Sequence, residues 1–148
     1  MNHQKIRTLA IVLLCGSFFI LDRILKQFAF THQDISLLFW NGWVGWEYFA
    51  NPGIAFGIPL PWFVSLIYTP IILVLLFWYS KRHSSPHILF RIGSLLILFG
   101  ALSNLIDRMV YHITIDYIRL FTSIINLADI MIVVGAFLLF WAEKRAKN

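Results

Sequence analysis

Between Asn104 and Asp129 the chain sets Asn104, Asp107, Arg108, Asp116, Arg119, Asn126 and Asp129 between two long apolar runs. Asn104, Asp107 and Arg108 follow the i, i+3, i+4 steps that place residues on one helix face. Asn126 and Asp129 repeat the i, i+3 step, and Asp116 falls in the short loop between. Asp22 and Lys26 stand one turn apart near the end of the first apolar run. The chemistry open to such a set is hydrolysis by a carboxylate dyad. Two Asp side chains at close range cannot both ionise comfortably, so they share a proton and titrate as a pair. The ionised member takes a proton from water while the protonated member donates to a scissile carbonyl oxygen. That scheme uses no metal, no cofactor and no covalent intermediate. A plainer reading makes Asp116–Arg119 and Asp107–Arg108 structural ion pairs. Residue types alone leave both open; the cost of placing charge near lipid tilts the balance toward function.

Lipid enters because of composition. The chain has 148 residues, 59% of them hydrophobic and only 13% charged, with a mean hydropathy of +0.77. So short a chain cannot fold that much apolar surface into a soluble core, and its length fits one domain. Four runs approach the roughly 20 residues that a bilayer requires: about 8–30, 62–79, 88–106 and 124–141. The expected fold is therefore an all-α membrane protein of four transmembrane helices. Between helices 1 and 2, aromatic and β-branched residues flank Asn41-Gly42, a hairpin signal, and Asn51-Pro52-Gly53 ends the segment in a turn. A small outward-facing sheet rich in interfacial Trp is expected there.

Basic residues fix the expected orientation. Lys5 and Arg7, the 80–91 connection, and Lys144, Arg145 and Lys147 put both termini in the cytoplasm and the polar cluster at the outer face. Arg108 and Arg119 run against that rule, which implies a local reason for each. The net charge of +5 serves orientation rather than nucleic acid. No small-residue cleavage site follows the first run, and Cys15, in mid-run, reads as a buried apolar side chain.

Other chemistries are poorly served. His83 and His87 are four apart but lack the Glu of the zinc-protease pattern. Ser103 has no nucleophile-elbow setting, and Gly93 and Gly100 read as helix-packing points. A small proton-coupled transporter is the main rival, but such proteins carry repeats and midplane sites. A non-catalytic assembly factor is a second.

Taken together, the motifs resemble those of the lipoprotein signal peptidase family, signal peptidase II. Asp22 and Lys26 match its first motif. Asn51-Pro52-Gly53-Ile54-Ala55-Phe56-Gly57 matches the second, and 100–108 the third. Ile115-Asp116-Tyr117-Ile118 with Asn126-Leu127-Ala128-Asp129 matches the block of two catalytic aspartates. Ser103 stands where Gly is usual, Tyr117 where Phe is common, and Ile125 where Phe precedes the Asn. The resemblance implies an aspartic endopeptidase of the bacterial inner membrane, with its active site at the periplasmic face. It implies catalysis by Asp116 and Asp129, a substrate site shaped by Asn51, Gly53, Asn104, Arg108 and Asn126, and support from Asp22 and Lys26. The implied partners are membrane lipid and diacylglyceryl-prolipoproteins, cut just before the lipidated Cys. The expected enzyme works as a monomer.

Overall fold

The computed structural model describes residues 3–53, 61–82 and 88–147. Residues 54–57 of the second motif, together with His83 and His87, lie outside them. Helix α1 (His3–Thr31) turns an unusual pair of faces outward and inward. Leu13, Ile20 and Ile24 are exposed, whereas Cys15, Asp22, Lys26 and Ala29 are buried. The polar residues thus lie inside and the greasy ones outside, the inversion that lipid imposes as solvent. Helices α2 (Trp62–Arg82), α3 (Ile88–Tyr111) and α4 (Leu127–Lys147) complete the bundle. The first three are long and apolar enough to cross a membrane. Helix α4 has no charged residue from Ile130 to Trp141 and exposes Val133, Phe137 and Phe140. We read it as the fourth span.

A four-stranded antiparallel sheet, in the order β1-β2-β3-β4, sits where α1 and α3 end and α4 begins. Strands β1 (Ser36–Phe39) and β2 (Val44–Asn51) form the expected hairpin. Its turn, Trp40–Gly42, holds Trp40, Asn41 and Gly42 at φ of 50°, 57° and 88°; Asn and Gly tolerate this left-handed region best.

Strands β3 (Thr114–Leu120) and β4 (Ser123–Ile125) were not expected. They come from the α3–α4 connection, so Asp116 stands in a strand and not in a loop. The reason is register: Ile113, Ile115 and Tyr117 alternate inward against Ala29 and Leu25 of α1, while β3 pairs with both β2 and β4. Helix bounds shift accordingly. α3 runs past 106 to Tyr111, where His112 at φ 61° ends it. α4 begins at Leu127 because Ser123–Ile125 is committed to the sheet.

The packing of α3 on α4 is the most extensive helix contact, and small residues permit it. A Cβ on Gly93 would stand 2.7 Å from the Gly135 carbonyl oxygen, and one on Gly100 would stand 2.6 Å from that of Ala128. Both glycines are packing points, as the sequence suggested. Gly100→Val should therefore force α3 from α4 and cost about 1–3 kcal/mol by overpacking, read as a lower unfolding midpoint in detergent. Gly16→Ala, whose Cβ meets only Phe99 at 4.0 Å, should hold or raise that midpoint, because Ala is favoured over Gly inside a helix by about 0.5–1 kcal/mol.

Candidate active site

Four charged side chains form the base of the site. Asp22, Lys26 and Asp107 are completely buried. Lys26 Nζ lies 3.1 Å from Asp22 Oδ2 and 2.8 Å from Asp107 Oδ2. Arg23 closes the set by pairing with Asp107 and donating to the Ser103 carbonyl at 3.2 Å. Two carboxylates thus face two cations, and this set of four carries no net charge. Removing one member of such a buried set costs far more than its presence contributes, because the partner is left unpaired.

Each acid of this base anchors a different element. Asp107 Oδ2 accepts the Ile115 N–H at 3.2 Å and so holds β3 beside Asp116. Asp22 Oδ1 accepts the Ala128 N–H at 3.1 Å and the Tyr117 hydroxyl at 2.9 Å. That hydroxyl in turn accepts the Leu127 N–H at 3.1 Å. The first amides of α4, which have no partner within the helix, are therefore satisfied by α1 and β3. Ser103 Oγ donates to Asp22 Oδ2 at 2.5 Å. Burial, with the Asp22 charge second, raises the Tyr117 phenol well above its ordinary value, so it stays a neutral donor.

Asp116 and Asp129 are drawn together by Asn126, the residue just before α4. Asn126 Nδ2 donates to Asp116 Oδ1 at 2.6 Å, and its Oδ1 accepts the Asp129 N–H at 2.8 Å. Asp129 Oδ2 accepts the Asn126 N–H at 3.3 Å in return, a reciprocal cap of the kind Ser/Thr and Glu make at helix starts. Asn51 Nδ2 reaches the other oxygen of Asp116 at 2.8 Å, and Asn104 Nδ2 reaches Asp129 Oδ1 at 2.8 Å. Lys26 donates to Asn104 Oδ1 at 2.7 Å, which turns the amide nitrogen toward Asp129.

The electrostatics follow from the burial. Asp116 is fully buried. Desolvation first, and the Asp129 charge second, push its carboxyl up to about 7, against the opposing pull of the Asn51 and Asn126 amides and the Lys26 charge. It can therefore hold a proton near neutrality beside a second carboxylate, which is the condition for acid and base in one site.

Asp129 opens onto a cavity of about 280 Å³ between the helices, lined by Asn104, Arg108, Tyr68, Ile72, Ala101 and Ile132. Arg108 donates to the Gly53 carbonyl at 3.3 Å and to the Tyr68 hydroxyl at 3.4 Å. It fixes the turn in which Asn51 Oδ1 accepts the Gly53 N–H at 2.9 Å. On the other side of Asn51 an open polar groove of about 410 Å³ runs past Glu47, Arg119 and Ser123.

Every residue named for the site from the sequence, namely Asp22, Lys26, Asn51, Gly53, Asn104, Arg108, Asp116, Asn126 and Asp129, belongs to this one connected network. The plainer pairing does not occur: Asp107 pairs with Arg23 and Lys26, and Arg119 pairs with Glu47 across β2 and β3. Three members were missed. Arg23 had the signal of a charge in an apolar run, one residue from Asp22. Tyr117 stands out in the sequence only as a substitution, and Ser103 as a substitution and a rejected nucleophile, though each adds a hydroxyl aimed at Asp22.

Comparison with known proteins accords with the fold and the motifs. A family model described as signal peptidase (SPase) II matches residues 14–144. A lipoprotein signal peptidase of Chlorobium phaeobacteroides is 34% identical over 153 aligned positions, covering 88% of this chain and 94% of that one. One from Pelotomaculum thermopropionicum is 40% identical over 100, spanning 64% of each chain. A bacterial membrane enzyme solved by the in meso method superposes with a TM-score of 0.83 at 23% identity, covering 94% of this chain and 90% of that one. The chain belongs to the signal peptidase II family of peptidases.

Proposed function

We propose that this peptidase cleaves diacylglyceryl-modified prolipoproteins on the N-terminal side of the lipidated Cys, using Asp116 and Asp129 as a one-proton dyad. The observation that carries the reading is the shared Asn126. It binds a carboxylate oxygen of Asp116 and the backbone of Asp129 with one side chain, so the two acids cannot drift apart independently. Water held between them loses a proton to the ionised carboxylate as it attacks the scissile carbonyl. The protonated carboxyl donates to the carbonyl oxygen, giving a gem-diol. As that diol collapses the C–N bond breaks, the leaving amine takes the proton gained from water, and a diol hydroxyl returns its proton to the other carboxylate, which restores the one-proton dyad.

The surroundings suit that substrate. The cavity at Asp129 is mostly apolar and opens between helices, a setting for a chain that arrives in lipid. A peptide unwound at that depth needs polar partners, and Asn104, Arg108 and Asn51 supply donors in a row. Trp43 and Phe121 pack at a 55° tilt, 6.1 Å apart, at the exposed tip of the sheet, where they would meet lipid chains at the outer leaflet. Trp46 instead packs against Tyr117 at 4.9 Å and Phe28 at 5.6 Å and serves the sheet itself. In this reading both termini face the cytoplasm, the site faces the periplasm of the inner membrane, and one copy of the chain suffices.

Single replacement of Asp116→Asn or Asp129→Asn should lower cleavage of a lipid-modified preprolipoprotein in detergent by roughly 10²–10⁴-fold, the range for loss of acid–base catalysis, with folding intact. Cleavage retained by either variant would sink the dyad. Trp43→Ser should raise KM severalfold and leave kcat near the parent value, because it removes lipid contact and leaves the acids untouched; a fall in kcat alone would remove that role.

A further inference from the structure

Arg23 takes no part in the chemistry above, yet it is the cation that keeps the base of the site neutral. Building on the dyad reading, we infer that Arg23 is a positioning residue: it neutralises Asp107 from the rim, which leaves Lys26 to orient Asn104 onto Asp129. Asp107 is fully buried and takes Arg23 on one oxygen. Its other oxygen takes Lys26 at 2.8 Å and the Ile115 N–H at 3.2 Å. The other two arginines near the site are committed elsewhere. Arg108 binds the Gly53 carbonyl and Tyr68, and Arg119 binds Glu47.

Without Arg23 a single ammonium would face two buried carboxylates. Lys26 already sits 2.8 Å from Asp107 and 3.1 Å from Asp22. Stronger attraction to Asp107 draws Nζ off Asn104 Oδ1, the 2.7 Å contact that aims Asn104 Nδ2 at Asp129. Asp107 also holds Ile115, the residue before Asp116. One rim cation therefore bears on both acids without touching either. Its side chain is 25% exposed, so it can be changed with less disruption than Lys26. The charged and titratable groups facing Asp116 and Asp129 are Asp22 and Lys26 of α1, Tyr68 of α2, Asp107 and Arg108 of α3, and Tyr117 of β3.

The test is the pH–rate profile of preprolipoprotein cleavage in detergent for Arg23→Lys, Arg23→Gln and the double variant Arg23→Gln/Asp107→Asn, with Asp116→Asn alongside. Arg23→Gln leaves an unbalanced negative charge, which favours the protonated acid. The alkaline limb of kcat/KM should move to higher pH by about half a unit or more, with kcat down severalfold and KM little changed. Arg23→Lys keeps the charge and should keep the limb, and the double variant restores neutrality and should return it. A limb unmoved in folded Arg23→Gln, or moved in Arg23→Lys, overturns the inference. If Arg23→Gln does not fold, the double variant decides: folding with the parental limb supports charge balance, and failure to fold or cleave overturns it. Asp116→Asn separates the two claims. If it is inactive while Arg23→Gln has the parental limb, only the role of Arg23 falls; if it cleaves, the dyad itself falls.

Discussion

Charge buried in a bundle that lipid surrounds must be balanced within the bundle, and here four side chains do that work. Asp22 and Lys26 lie one turn apart on α1, Arg23 lies between them, and Asp107 comes from α3. Leaving any one unmatched would strand a charge where neither water nor lipid solvates it. This requirement sets how α1 rotates about its axis. The face with Asp22, Lys26 and Ala29 must look inward, and so Ile20 and Ile24 look out. It also sets the height of α3 against α1, since Asp107 has to meet both cations.

The quartet then builds the site by hydrogen bonds that leave it. Asp22 reaches the first amides of α4, directly at Ala128 and through Tyr117 at Leu127. Asp107 reaches β3 at Ile115, and Lys26 reaches Asn104. Each of these contacts ends within one or two residues of Asp116 or Asp129, or on an amide that touches one of them. The asparagines supply the last layer. Asn51, Asn104 and Asn126 each donate to a carboxylate of the pair. Their amides stabilise the ionised form, and those of Asn51 and Asn126 partly offset the burial that pushes Asp116 up. The glycine contacts between α3 and α4 allow the approach that this geometry needs.

Much of this was legible from spacing. The i, i+3, i+4 run of Asn104, Asp107 and Arg108, and the i, i+4 pair Asp22 and Lys26, announced inward helix faces. The Asn41-Gly42 hairpin read correctly for the same local reason. What local pattern could not give was pairing across distance. Asp116 seemed to lie in a loop because β3 gains its stability from β2, more than sixty residues earlier at Asn51↔Thr114. Its own alternation, Ile113, Ile115 and Tyr117, was visible but is short. The plainer alternative, Asp107 paired with its neighbour Arg108, fails because consecutive helix residues point about 100° apart, and each finds partners on other elements. Tyr117 and Ser103 acquire meaning only once Asp22, far away in sequence, stands opposite them.

The central claim is that Asp116 and Asp129 hold one proton between them on this scaffold. It is tested most directly by infrared titration of the protonated-carboxyl C=O band in the detergent-solubilised enzyme, with Asp116→Asn used to assign the band. Asp116 is pushed up to about 7, in part by the charge of Asp129. The account therefore predicts a protonated Asp116 band that disappears as pH rises through about 7, and that disappears at lower pH in Asp129→Asn, where that charge is gone. A band that titrates at the ordinary carboxylate value in the parent, or at the same pH with and without the Asp129 charge, would contradict it.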